Sequence, residues 1–284
     1  MPSAYEDIKA RLGGMIVLLC FGSSLPEVVD FVHLVAGENE LYAPAVPVYG
    51  NELFDMKYYH EHKQELDRAR MLMADDLSRT TFDNTISYFL SGDIRYLEEC
   101  AVPAEEEFML TELRDNAAYI DLGAYTGDTV AEYRRIFPSI TSVTAVEPDA
   151  KNFRKLRENV TDAVLINALI SDTPGTAHIN LGKGRGVHEQ DEGAVIDSVT
   201  VDSILNGKPA HLIKYDVEGN EHKAINGSAG TIAEYKPVLH VACYHRSEDI
   251  YDLPLLISGI RPDYKIYMRH RPHLLNWDTQ FICI

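Results

Sequence analysis

Residues 119–129 read Tyr119-Ile120-Asp121-Leu122-Gly123-Ala124-Tyr125-Thr126-Gly127-Asp128-Thr129. The run Ala117 to Ile120 just before the acid is apolar, too short for a helix, and bounded by Asp121 and Gly123, which predicts a buried strand. Gly123 and Gly127 let the backbone turn sharply and come close to a ligand, after which Asp128 and Thr129 can open a helix. Open parallel sheets bind ligands beyond the carboxyl ends of their strands, so this loop is the first candidate site.

The same alternation continues downstream. Thr129 to Ile136 is helical in pattern, Val143 to Val146 reads as a strand, Ala150 to Asn159 as a helix opened by Pro148-Asp149, and Val164 to Ile166 as a third strand. Strand, helix, strand, helix, strand predicts a parallel sheet with right-handed crossovers. A helix is expected from Glu105 to Arg114 and further strands at Val195 to Val199, Leu212 to Tyr215, Val238 to Cys243, Tyr264 to Met268 and Gln280 to Ile284, the last two antiparallel. Gly182-Lys183-Gly184-Arg185-Gly186 reads as a hairpin tip rather than a phosphate cradle.

Charge narrows the ligand. A carboxylate at Asp121 would repel a dinucleotide pyrophosphate at short range, whereas it attracts a cation. S-adenosylmethionine (SAM) carries an ammonium and a sulfonium and no phosphate, so the acidic strand end favours it over NAD or ATP. Glu147 follows the second strand, where an acid can accept hydrogen bonds from both ribose hydroxyls, a feature SAM and NAD share.

The chain has 284 residues with 26 Lys and Arg against 44 Asp and Glu, a formal charge of −18. So acidic a surface repels polyphosphate, which argues against nucleic-acid partners. No apolar stretch approaches the roughly 18 residues of a membrane span. Cys20, Cys100, Cys243 and Cys283 form no paired motif, which points to a reducing, cytoplasmic setting. Before residue 98 the pattern differs: a strand at Ile16 to Phe21, a helix from Pro26 to Val35, a strand at Ala45 to Tyr49, and two helices within Lys57 to Leu90 broken at Ser78 or Thr80. This is read as an annex, 1–98, beside a main domain, 99–284. Phe21-Gly22-Ser23-Ser24-Leu25-Pro26 holds one glycine where a dinucleotide fingerprint has three, so the annex reads as a packing or docking module.

Four blocks resemble the FkbM-type family of class I SAM-dependent methyltransferases: residues 119–129; Ala145-Val146-Glu147-Pro148-Asp149 running to Asn159; Ile213-Lys214-Tyr215-Asp216-Val217-Glu218-Gly219-Asn220-Glu221; and Pro237-Val238-Leu239-His240-Val241-Ala242-Cys243-Tyr244-His245. The third is the most specific. The resemblance spans about residues 100 to 284, with Arg269-His270 near its end. It implies an α/β fold, a Rossmann-like class I methyltransferase sheet of seven strands with a small N-terminal α/β annex. It also implies SAM as cofactor and O-methylation of a sugar or secondary-metabolite hydroxyl, the acceptor being a small molecule or glycan. A homo-oligomer is compatible with it. Asp121, Gly123, Ala124, Tyr125, Thr126, Gly127, Asp128, Thr129, Glu147, Pro148 and Asp216 are the expected cofactor residues, and Tyr244 and Arg269 the expected acceptor residues.

Methyl transfer is an in-line displacement, so the chain's work is alignment and, for a poorly acidic alcohol, proton removal. His245 follows the fifth strand, and an ordinary imidazole pKa near 6.5 suits a base, which makes it the preferred candidate. His270 ends the next strand and is a second candidate. Asp216 and Glu218, two residues apart, would point the same way in extended backbone. They could orient the acceptor or hold a divalent metal for which no third ligand is identifiable, or else only cap the loop and the helix after Asn220. His240 is expected to be a buried core residue. Two competitors remain: an NAD-dependent oxidoreductase, and a non-catalytic SAM-binding or scaffold protein.

Overall fold

The computed structural model describes residues 2–50, 52–179, 189–190 and 193–284. Its central sheet has seven strands: β1 (Ala117–Leu122), β2 (Ile140–Val146), β3 (Val164–Ile166), β4 (Leu212–Tyr215), β5 (Val238–Ala242), β6 (Ile266–His270) and β7 (Thr279–Cys283). The order across the sheet is β6-β7-β5-β4-β1-β2-β3. Strands β3, β2, β1, β4 and β5 run parallel, and β7 is antiparallel to both β5 and β6, as expected of the final pair. The order reverses between β1 and β4, and the crevice opens there.

The strands are apolar because both faces are covered. Ile120 and Ile213 lie side by side in register, and so do Asp121 and Lys214, a charged pair set inside the sheet. Helices Asp128–Ile136 and Ala150–Asn159 make the first two crossovers, the second opened by Asp149, whose carboxylate accepts from the Asn152 amide at 2.7 Å. A separate four-stranded sheet holds Leu169–Ile170, Ala194–Val199, Gly175–Ile179 and Glu189–Gln190. The strand expected at Val195 to Val199 belongs to it rather than to the central sheet. Gly182 to Gly186 lie outside the described residues.

In the N-terminal part, Ile16–Leu18 pairs in parallel with Glu40–Tyr42 across helix Pro26–Glu38. The strand expected at Ala45 to Tyr49 is not formed. Pro44 and Pro47 withhold backbone donors there, and the pairing falls earlier, at Glu40. Lys57 to Leu90 lies across three helices instead of two, Met56–Glu61, Lys63–Met71 and Asp76–Ser91. The break before the last is at Asp75, whose carboxylate caps the Ser78 amide at 2.7 Å, so Ser78 and Thr80 lie inside the helix. Packing crosses residue 98: Phe54, Tyr58, Leu66, Met73 and Phe82 share one core with Ile213, Val241 and Met268, while Leu19, Val32, Leu41 and Tyr88 form a smaller core that also takes in Leu274. Among the described residues no helix is long and apolar enough to cross a membrane.

Candidate active site

A cleft of about 240 Å³ lies at the carboxyl ends of β1, β2 and β4. The loop after β1 is bound down at its start, where the Gly123 and Ala124 amides both donate to the Val146 carbonyl at 3.0 Å. Gly123 has φ +81°, and a Cβ there would sit 1.8 Å from the Asp216 carbonyl oxygen. The loops after β1 and β4 therefore touch backbone to backbone, which only glycine permits. Gly127, at φ +90°, packs against Val160 and Leu156 of the second crossover.

Gly123, Tyr125, Asp128, Thr129, Glu147, Pro148, Asp216, Glu218 and Tyr244 of the expected set all line this cleft. Ala124, Thr126 and Gly127 shape the loop from behind: Ala124 is buried, and the Thr126 carbonyl accepts from Asn159 at 2.8 Å. Asp121 is not at the cleft wall. It is fully buried, accepts from the Thr129 hydroxyl at 2.6 Å, and faces the Lys214 ammonium at 3.5 Å. Its partners Thr129 and Lys214 reach the cleft in its place. Lys214 also pairs with Asp216 at 3.2 Å; burial opposes its charge, but Asp216 and Asp121 outweigh burial and raise its pKa. Burial alone would raise the Asp216 pKa, yet Lys214 and His245 hold it below the ordinary carboxylate range.

Glu147 accepts from the Tyr125 amide at 2.9 Å on one oxygen and from the Asp149 amide at 2.8 Å on the other. Burial pushes its pKa up to about 7 despite those donors. Val146, Ala168, Leu169 and Ile170 form an apolar wall beside it. Sequence reasoning passed over that wall, Lys214, and Asp278, which lines the cleft from the turn before β7 with φ +60°. The lining residues thus carry five carboxylates, Asp128, Glu147, Asp216, Glu218 and Asp278, against one ammonium, Lys214.

His245 lies under the far end of the cleft. Its Nε2 is 3.6 Å from Asp216 Oδ1 and 3.6 Å from Glu218 Oε2, and its Nδ1 is 2.9 Å from Glu221 Oε1. Asp216 and Glu218 do converge, but Glu218 is at φ +56°, so a turn rather than an extended segment brings them together. Burial works against a charged imidazole; Glu221, Asp216 and Glu218 outweigh it and push the pKa up to about 10. The ordinary value expected from sequence does not hold, and the imidazole is already protonated at neutrality, which is the wrong state for a general base.

His270 is not brought to the cleft. It is fully buried, bonded to the Thr279 hydroxyl at 2.8 Å, and burial lowers its pKa to about 3. Arg269 is likewise withdrawn: it is 4% exposed and clamps the cap of helix Asp76–Ser91, with Asp75 at 2.6 Å and the Ser78 hydroxyl at 2.9 Å. Burial would raise the Asp75 pKa, but Arg269 and Ser78 bring it down to about 2. His240 is a core residue as expected, held between Thr111 at 2.8 Å and Tyr133 at 2.7 Å.

Residues 121–261 match the family model of the methyltransferase FkbM domain. The crystal structure of methyltransferase FkbM from Methylobacillus flagellatus KT is similar over 100% of this chain and 77% of that one, with a TM-score of 0.74 at 20% identity, a likeness of fold. More distant are precorrin-6y C5,15-methyltransferase from Geobacter metallireducens GS-15, at TM-score 0.40 and 10% identity over 63% of this chain and 84% of that one, and Aeropyrum pernix fibrillarin bound to S-adenosyl-L-methionine, at 0.40 and 10% over 64% and 74%. No curated protein matches the chain. Residues 121–261 are therefore a methyltransferase FkbM domain, and the sheet they belong to is that of a class I methyltransferase.

Proposed function

We propose that the protein is a SAM-dependent O-methyltransferase whose acceptor is a hydroxyl of a sugar or secondary metabolite. The observation that carries the choice of cofactor is the cleft's excess of carboxylates at the strand-order reversal, which suits a cationic donor and disfavours a pyrophosphate. Bound there, SAM supplies an electrophilic methyl group and a neutral leaving group. Glu147 would take the ribose hydroxyls, the Val146, Ala168, Leu169 and Ile170 wall the adenine, and Lys214 and Thr129 the methionyl end, with Asp121 behind them as a positioning residue.

The acceptor hydroxyl is assigned to the end bounded by Asp216, Glu218 and Tyr244, where Tyr244 donates to Asp216 at 3.2 Å. A protonated His245 leaves the hydroxyl proton to a carboxylate, and Glu218, at the cleft lining, is the group assigned to take it. His245 then acts by holding the two acids in place.

Calorimetric titration with S-adenosylhomocysteine (SAH) and with NAD tests the cofactor: SAH is expected to bind and NAD not, and the reverse would make the protein an oxidoreductase. Transfer of a labelled methyl group to offered hydroxyl acceptors then separates an enzyme from a SAM-binding scaffold. Glu147 gives a pH signature. Below about pH 7 it is neutral and a weaker acceptor, so SAH affinity is expected to rise about fivefold from pH 6 to pH 8. Glu147→Gln should bind more weakly and show no such rise; a wild-type affinity flat across this range would remove Glu147 from the ribose site.

A further inference from the structure

We infer that Asp216, Glu221 and His245 form a site for one divalent cation of the Mn²⁺ type beneath the acceptor end of the cleft. Each offers a ligand atom, and the three atoms lie within 4.8 Å of one another. Metal–ligand bonds of about 2.1 Å hold ligand atoms about 3 to 4.2 Å apart, so an ion would have to draw this group together by about 0.6 Å at most.

The contacts inside the cluster are not those of a closed network. His245 Nδ1 is 2.9 Å from Glu221 Oε1 but misaligned for a hydrogen bond, and Nδ1 has no hydrogen-bond partner among the described residues. Glu221 Oε2 is also without one, while Oε1 accepts only the Val217 amide at 2.8 Å. Both side chains are buried, His245 1% exposed and Glu221 not at all. Unpartnered polar atoms this deep are costly unless something meets them. Four carboxylates, Asp216, Glu218, Glu221 and Asp249, crowd one imidazole, and among the described residues Asp249 gains only the Arg246 amide at 2.8 Å. A dication offsets that excess and takes the place of the His245 proton, since the imidazole ligates only when neutral.

The donor set names the ion class. Two carboxylates and an imidazole, with no thiolate, suit Mn²⁺ better than Ca²⁺, which takes oxygen alone, or a structural Zn²⁺ site, which leans on cysteine. Asp216 belongs both to the cluster and to the cleft lining, so the ion would fix the acid that faces the acceptor and draw charge from the acceptor oxygen. That role rests on the proposed acceptor chemistry; the binding itself does not.

The test uses Mn²⁺ alone on chelator-treated full-length protein, followed by the paramagnetic signal of free Mn²⁺, with SAH titration in parallel. One equivalent is expected to bind, and Glu221→Gln and His245→Gln should each weaken it at least tenfold while SAH affinity stays within threefold of wild type. Should either variant fail to bind SAH, Asp216→Asn serves in its place, read by Mn²⁺ uptake and by its thermal melt rather than by SAH affinity. Wild-type protein that binds SAH but takes up no Mn²⁺ at 1 mM overturns the site, as does uptake unchanged in the variants. Uptake of Mn²⁺ that the variants lose, in a protein that binds no SAH, upholds the site and overturns the cofactor assignment instead.

Discussion

Gly123→Ala is expected to weaken SAH binding at least about a hundredfold and to destabilise the fold by about 4 kcal/mol. Two costs combine. The residue sits at φ +81°, where an L side chain is strained by roughly 1–2 kcal/mol. Its Cβ would also stand 1.8 Å from the Asp216 carbonyl oxygen, a backbone atom that cannot rotate away. The loops after β1 and β4 must then part, and they carry Tyr125, Thr129, Asp216 and Glu218 into the cleft. Gly207→Ala separates the two costs, because Gly207 is at φ +77° with nothing within 4 Å of the added carbon. That variant should lose only about 1–2 kcal/mol and keep its SAH affinity. Denaturant melts and calorimetry on both chains are the measurements, and equal losses at the two glycines would show that the contact with Asp216 carries no weight.

The loop at 121–129 was legible because its signals are local: an apolar run, two glycines, and a helix-opening acid, all within reach of one another. Both glycines prove to be at positive φ. Where several residues offer the same local signal, the sequence does not choose among them. Asp75, Ser78 and Thr80 are all plausible helix openers, and only the turn geometry selects Asp75. In the site, the strand ends could be located but not their directions. Arg269 turns to Asp75, 194 positions away, and His270 to Thr279, so neither reaches the cleft. The place of His245 after β5 is legible in sequence, yet its charge state depends on Glu221, Asp216 and Glu218 folding over it, which spacing alone does not reveal. Lys214 left a usable signal, a lone cation in the apolar run of β4. Its meaning appears only once β4 lies beside β1 in a register that pairs it with Asp121.

That register makes Lys214→Met the second large effect, about 3–5 kcal/mol of lost stability. Methionine fills similar space, so the loss is electrostatic rather than a cavity. Lys214 is 8% exposed and its ammonium lies 3.5 Å from Asp121 and 3.2 Å from Asp216. Without it, Asp121 keeps, among the described residues, a hydrogen bond only from Thr129, and Asp121 Oδ1 already lacks one, so a buried carboxylate is left uncompensated. Neutralising that acid should undo part of the damage. Lys214→Met with Asp121→Asn is therefore expected to be more stable than Lys214→Met alone, although Asp121→Asn by itself destabilises the wild-type chain. Such a sign change marks a coupled pair, since independent residues would give additive losses. Urea midpoints for the four chains decide it: a single-variant loss below about 1 kcal/mol, or additive losses, would mean that Lys214 is solvated in the cleft and does not hold the two strand ends together.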